Sequence, residues 1–167
     1  MRFFIAIFIV GLIAASPASA CNLKDISFGD KTKHVVDQFD LDVLTIKKKG
    51  ETAIPERGQK ICSELQKDSL VEFIFMDNTL IQLKISNTNV NNNLRQHAKE
   101  WFGENDDSKR AQVTDSNSNM ALWNKDSEKS VIYSSFLRGR ENMEILEITS
   151  KNHQSLFNKM FEERDSD

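Results

Sequence analysis

The stretch SLVEFIFMDNTLIQLKIS, residues Ser69–Ser86, decides the fold that this sequence predicts. Two runs of alternating apolar and polar residues flank the turn-forming pair Asp77-Asn78. Period-two alternation on both sides of turn residues is typical of a β-hairpin. We therefore expect a central hairpin over about residues 70–86, and the rest of the chain to pack around it.

The same pattern predicts the register of this hairpin. A loop of three residues, 77–79, places Glu72 opposite Lys84 on one face, a favourable pair of opposite charges. On the other face it places three apolar pairs: Val71 with Ile85, Phe73 with Leu83, and Phe75 with Ile81. A two-residue turn at Asp77-Asn78 would instead set Phe73 against Gln82 and turn an apolar set to the wrong face. We therefore expect the three-residue loop, although Thr79 would then occupy a position that favours positive φ.

The first twenty residues, MRFFIAIFIVGLIAASPASA, have the pattern of a signal peptide. A basic Arg2 precedes an apolar run, and small residues at 18–20 form an A-x-A cleavage site. The run is short for a membrane span, so an uncleaved anchor is the weaker alternative. We expect cleavage between Ala20 and Cys21, export to the periplasm or outside the cell, and one α+β domain over residues 21–167.

The chain contains two cysteines, Cys21 and Cys62. An even pair in an exported protein predicts a disulfide. The alternative starts from Ser19-Ala20-Cys21, which resembles the box of bacterial lipoproteins, although Ala18 stands where that box carries Leu. This resemblance implies a lipidated Cys21. One sulfur cannot form both bonds, so the two predictions exclude each other.

Further elements complete the predicted α+β fold. Strands are expected near residues 43–46 and as a second hairpin over about residues 130–149, whose apolar residues occupy both faces and predict cover on more than one side. Residues 51–58 contain Pro55 between flanking glycines and predict a loop. Apolar residues at helical spacing predict helices near 30–39, 94–102 and 150–161. The expected fold class is thus an antiparallel β-sheet with two to three helices packed on it.

The sequence contains little that indicates catalysis or a cofactor. The three histidines, His34, His97 and His153, lack the spacing of zinc ligands. Nucleophile-elbow, P-loop and dinucleotide-binding motifs do not occur, so no catalytic residue and no cofactor are predicted. The net charge of −3 argues against a nucleic-acid partner, which requires a basic surface.

Aromatic residues provide the one candidate ligand patch. Trp101 follows Leu94 and Ala98 at helical spacing, which predicts a place in the core. Trp123 instead lies at the edge of a long polar stretch, residues 104–119, which predicts a surface loop. A binding patch, if the domain has one, is therefore expected near Trp123 and Tyr133, because aromatic rings bind sugars and peptides by stacking.

The start of the mature chain also resembles the small outer-membrane assembly lipoproteins, through Cys21, Gly29, Thr32 and Val35. This resemblance covers some fifteen residues and implies a lipid-anchored accessory factor. We expect, first, a non-enzymatic binding domain whose partner is a protein or a component of the cell envelope. A membrane partner is expected only if Cys21 is lipidated. A third possibility is a hydrolase of unrecognised type, which should present a pocket with a histidine beside a carboxylate.

Overall fold

The computed structural model describes residues 21, 23, 26–42, 45–48, 51–88, 93–106, 119–124 and 126–165. The predicted signal peptide, residues 1–20, lies outside these ranges. The described residues form the following elements in chain order: α1 (Thr32–Phe39), β1 (Ile46–Lys48), β2 (Glu51–Arg57), α2 (Gly58–Ile61), β3 (Leu70–Met76), β4 (Thr79–Thr88), α3 (Asn93–Phe102), β5 (Asn119–Trp123), β6 (Lys129–Arg138), β7 (Glu141–Ser150) and α4 (Gln154–Asp165).

All the strands join one antiparallel sheet in the order β1-β2-β3-β4-β7-β6-β5. The two predicted hairpins are β3–β4 and β6–β7, and they meet where β4 pairs with β7. The α+β class is thus confirmed. The three predicted helices correspond to α1, α3 and α4, while α2 is a single turn that the sequence did not predict. No helix in the described part of the chain is long and apolar enough to span a membrane.

The prediction of a loop at residues 51–58 is wrong, because this stretch forms β2 and the first residue of α2. Proline lacks a backbone N–H and is normally excluded from inner strands. Here Pro55 pairs with Glu72 of β3 on one side, whereas β1 pairs only with residues 51–53 on the other. At Pro55 the second side of β2 therefore has no paired strand among the described residues that would need the missing N–H.

The register of the central hairpin is confirmed away from its tip and wrong at the tip. Phe73 lies opposite Leu83, and Glu72 lies opposite Lys84, as predicted. The loop has two residues, both in the left-handed region, with φ of 49° at Asp77 and 62° at Asn78. These are the conformations of a type I′ turn. A β-bulge then adds one residue to β4, so that Phe75 pairs with Leu80 and not with Ile81.

The bulge explains how a two-residue turn and the predicted pairing coexist. Ile81 is the extra residue, because Phe75 pairs with Leu80 and Ile74 pairs with Gln82. A bulge of this kind shifts the register by one residue. It leaves Leu80 in the main core and places Ile81 in a second cluster on the other face of the sheet.

The two faces of the sheet have different cores. The inner face holds the main cluster. The described residues that precede α1 contribute to it, as do α1 and α3. The outer face holds a smaller cluster against which Leu156 and Phe157 of α4 pack; its buried members are Ala53, Ile74, Met76 and Ile81.

The predicted disulfide is present. Cys21 and Cys62 are bonded, with their Cα atoms 4.8 Å apart and both side chains buried in the main core. The bond fastens the start of the described chain to the end of α2, and it indicates an oxidising, exported environment. While this bond exists, the sulfur of Cys21 is not available for lipidation.

Candidate binding pocket

The two residues of the predicted ligand patch both lie on the inner face of the sheet. Trp123 ends β5 opposite Val131, and Tyr133 of β6 lies opposite Ala121. Trp123 is 4% exposed and Tyr133 is fully buried. Tyr133 and Trp123 differ in their hydrogen-bond partners.

Tyr133 belongs to a buried polar network. Its hydroxyl donates to Glu144 Oε1 at 2.8 Å, and Glu144 Oε2 accepts the backbone N–H of Leu94 at 3.3 Å. Burial raises the pKa of Tyr133 to about 12; a hydrogen bond with Ser135 acts against this shift, and Glu144 adds to it. The buried Glu144 carboxylate thus satisfies one of the free N–H groups in the first turn of α3.

Both the ring and the hydroxyl of Tyr133 are occupied by contacts within the protein. Its ring is covered and its hydroxyl is engaged, so Tyr133 contributes no surface to a pocket in this conformation. A ligand-binding role for Tyr133 stays a prediction.

Trp123, in contrast, lines a pocket of about 240 Å³. The pocket lies between the last turn of α3 and the strands β5 and β6, and its other lining residues are Trp101, Phe102, Asp126 and Val131. The indole N–H of Trp123 donates to the carbonyl oxygen of Gly103 at 2.7 Å, which fixes the ring against the end of α3. Gly103 has φ of 79°, a conformation that suits glycine just after a helix C-terminus.

The aromatic rings of α3 are held in fixed geometry. Trp101 and Phe102 meet edge to face, with centroids 6.4 Å apart. His97, one turn earlier, stacks on Trp101 with centroids 5.4 Å apart. The Nδ1 atom of His97 lies 3.5 Å from a carboxylate oxygen of Glu100, without hydrogen-bond geometry. Trp101 is half-buried against the main core, so it combines the predicted packing role with a ring edge available to the pocket.

One carboxylate residue, Asp126, lines this pocket, which we call the aromatic pocket. Asp126 Oδ1 accepts the backbone N–H groups of Glu128 and Lys129 at 2.7 and 3.2 Å. Asp126 Oδ2 has no hydrogen-bond partner among the described residues. Asp106 is also close in the fold, because its Oδ2 accepts the N–H of Asn124 at 2.9 Å. An apolar aromatic pocket beside a carboxylate favours a cation.

Sequence reasoning identified Trp123 and missed Phe102, Asp126 and Val131. The available signal was the sequence Trp101-Phe102-Gly103, in which two large rings directly precede a helix-ending glycine. Both rings pack against the main core and stay only partly buried, which leaves part of each ring at the surface. Asp126 gave no signal, because only the fold brings it beside the rings.

A second candidate site combines a serine with a histidine. Ser150 Oγ lies 2.8 Å from His153 Nδ1, and Ser150 lines a pocket of about 310 Å³ together with Ser27, Lys129 and Asn152. Ser150 is only 2% exposed, however, and His153 has no carboxylate partner among the described residues. His34 Nε2 lies 3.8 Å from Asp30 Oδ2, and the His34 side chain is 68% exposed.

Cys21, Cys62 and Glu64 form a group of three potential metal-ligand residues within 4.8 Å of one another. The two sulfurs are bonded to each other and so are not thiolates, the form that binds metals. This group is therefore a disulfide with a neighbouring carboxylate.

Comparison of the chain with protein-family models, with curated proteins and with solved structures finds no match.

Proposed function

We propose that this protein is an exported, disulfide-bonded binding domain that holds a cationic side chain of a partner protein in the aromatic pocket. The convergence of Trp101, Phe102 and Trp123 beside Asp126 carries the proposal. Aromatic faces attract Arg and Lys side chains, and a carboxylate adds a charge-assisted hydrogen bond.

The size of the pocket favours a side chain over a free small molecule. At about 240 Å³ it falls below the roughly 300–1,000 Å³ of typical ligand pockets. Pockets that accept one anchoring side chain of a partner are common at the centres of protein interfaces, where Trp, Tyr and Arg dominate the binding energy.

Tryptophan fluorescence can test this binding directly, because Trp101 and Trp123 are the only tryptophans in the chain and both line the pocket. We expect N-acetyl-arginine amide to change the emission with a Kd on the order of 1 mM, the affinity of one side chain. N-acetyl-leucine amide should give a much smaller change. Asp126→Asn should weaken arginine binding by about fivefold or more.

A matched control is Glu64→Gln, which removes an exposed carboxylate outside the aromatic pocket. This variant should bind the arginine probe like the native protein. If the arginine and leucine probes act alike, or if the two variants weaken binding equally, the cation-binding proposal is wrong.

We further propose that residues 1–20 are removed on export and that Cys21 then forms the disulfide. The intact mass of the exported protein should correspond to residues 21–167, with a gain of two hydrogens on reduction. A mass that retains residues 1–20 would contradict cleavage. A mass increased by a diacylglycerol would favour the lipid-anchored alternative, in which Cys62 is a free thiol.

The Ser150–His153 hydrogen bond favours the hydrolase as a second candidate function. An active serine should react with a fluorophosphonate probe, and Ser150→Ala should abolish the labelling. Absence of labelling in the native, folded protein would remove this candidate.

A further inference from the structure

A larger pocket, of about 680 Å³, lies where the central hairpin begins. Its walls are the end of β2, the single turn α2, the loop 62–69 and the first residue of β3. Three of its lining side chains are cationic, namely Arg57, Lys60 and Lys67, and one is acidic, Asp68. We call it the basic pocket.

One of the three cations already has partners. Lys60 Nζ donates to Glu56 Oε2 at 2.9 Å and lies 3.7 Å from Asp42. Burial alone would raise the pKa of Glu56, but hydrogen bonds from Lys60 and from two backbone N–H groups lower it overall. Arg57 and Lys67 have no ion-pair partner among the described residues. Two positive charges therefore face the pocket uncompensated by a salt bridge.

Ser69 lines the same pocket and has a buried hydroxyl. Its backbone is fully engaged, since its N–H donates to Gln66 at 3.0 Å and its carbonyl accepts from Gly58 at 2.7 Å. The residue is 3% exposed, yet its Oγ has no hydrogen-bond partner among the described residues. Buried polar atoms are normally hydrogen-bonded, so an unpartnered hydroxyl beside two cations indicates a ligand that accepts hydrogen bonds.

The position of this hydroxyl is fixed by close packing. A Cβ atom at Gly58 would lie 2.5 Å from Ser69 Cβ, so only glycine allows this approach. The N–H of Cys62 donates to the Gly58 carbonyl at 2.8 Å, and Cys62 is bonded to Cys21. The disulfide therefore anchors the turn that carries one wall of the basic pocket.

We propose that the basic pocket binds a phosphate group that belongs to a larger molecule. Arg57 can hold two phosphate oxygens at once, Lys67 adds a point charge, and Ser69 Oγ donates a hydrogen bond. The volume exceeds that of one phosphate, and Leu70, which is 38% exposed, offers an apolar wall to the rest of the ligand. The phosphate can come from a soluble phosphate ester or from a phospholipid headgroup.

The test is to titrate the oxidised protein with glycerol 1-phosphate by calorimetry and to sediment it with phosphatidylglycerol vesicles, with glycerol and phosphatidylcholine vesicles as blanks. Arg57→Gln combined with Lys67→Gln should weaken binding by about tenfold or more. The matched control combines Lys33→Gln with Arg138→Gln, exposed cations on α1 and β6. It removes the same charge and should change binding by less than about twofold.

Ser69→Ala distinguishes a binding role from a structural one. Removal of an unpartnered buried hydroxyl should leave the melting temperature unchanged or higher, whereas phosphate binding should weaken by about threefold. Reduction of the disulfide should also weaken phosphate binding. It frees Cys62 and so loosens α2, whose Gly58 packs against Ser69.

The two probes separate the sources of the phosphate. If the protein binds glycerol 1-phosphate, whether or not it also binds the vesicles, a soluble phosphate ester is supported. If it binds phosphatidylglycerol vesicles but not glycerol 1-phosphate, a lipid headgroup is supported. If neither probe binds, or if the control pair loses as much affinity as Arg57→Gln with Lys67→Gln, the proposal is wrong. These phosphate-binding results do not test the aromatic pocket, because none of the variants changes a residue that lines it.

Discussion

In the first half of the sheet, strands β2–β4 bury apolar side chains on both faces, whereas in the second half, β5–β7, apolar side chains are fully buried on the inner face alone. Phe73 and Phe75 of β3 belong to the inner cluster, while Ile74 and Met76 belong to the outer one. In β7, buried and half-buried residues alternate strictly from Glu144 to Ser150. The half-buried apolar residues on the outer face of the second half are Leu122, Ile132, Phe136, Met143 and Ile145.

The position of α4 explains this difference. Leu156 and Phe157 pack against the outer cluster of the first half. The sequence predicted the reverse, with cover on more than one side for the second hairpin and one apolar face for the first. Both hairpins carry enough apolar residues for two-sided burial, so the number of buried faces depends on where a distant helix packs, which period-two patterns do not record.

The largest expected effect tests this asymmetry with one residue type. Phe73 is fully buried and its ring lies 5.2 Å from that of Phe39. Phe73→Ala should lower the free energy of unfolding by about 3–5 kcal/mol. Phe136→Ala, on the half-buried outer face of β6, should lower it by only about 1 kcal/mol, because less area is buried there. Urea unfolding of both variants measures the two values.

Similar losses for the two phenylalanine variants would contradict the comparison. They would mean that the outer face of the second half is as well covered as the core of the first.

A medium effect concerns the inner face of the second half, where Tyr133 is buried. It is the only tyrosine in the chain, so absorbance at 295 nm reports its ionisation alone. The folded protein should titrate with a midpoint at about pH 12, and the unfolded protein near pH 10. A large reduction of this difference in the folded protein would show that water reaches the Tyr133–Glu144 network.

The sign of the stability change follows from linkage. A raised pKa means that the folded state retains a proton that the unfolded state has lost, so the contribution is complete below pH 10 and is lost as pH rises to about 12. The loss should amount to about 2–3 kcal/mol. Tyr133→Phe should lack this part of the alkaline slope, which separates it from the titration of lysines.

The smallest effect is expected at the boundary between the halves. Glu72 and Lys84 form an ion pair of 3.2 Å on the outer face, in a row that continues to Glu147 of β7. Both side chains are partly exposed, so Glu72→Ala should cost less than about 1 kcal/mol. A cost as large as that of Phe73→Ala would indicate a dry, fully covered outer face at this row.

Local patterns predicted the two hairpins, the three longer helices, the pairing of Phe73 with Leu83, and the disulfide. They failed where a distant contact decides the outcome. Pro55 is acceptable in β2 because the described residues of β1 pair only with residues 51–53, and Ile81 is a bulged residue because both faces of β4 need apolar side chains.

Local sequence patterns were also insufficient to predict the two pockets. Trp123 was expected in a binding patch because it lies at the edge of a long polar stretch, but the ring of Phe102 and the carboxylate of Asp126 reach it only through the fold. Ser69 looked like an ordinary polar residue before a strand. Its significance depends on burial without a hydrogen-bond partner, and no sequence pattern indicates that.

The disulfide has a mechanical consequence. If the exported protein begins at Cys21, tension applied at its N-terminus passes through the sulfur–sulfur bond directly to Cys62, 41 positions further along the chain. The covalent loop between them, which contains α1, β1, β2 and α2, then bears no load and is not extended. A pulling experiment from the two chain ends should therefore release a contour length shorter by this loop, and addition of a reductant should restore the missing length.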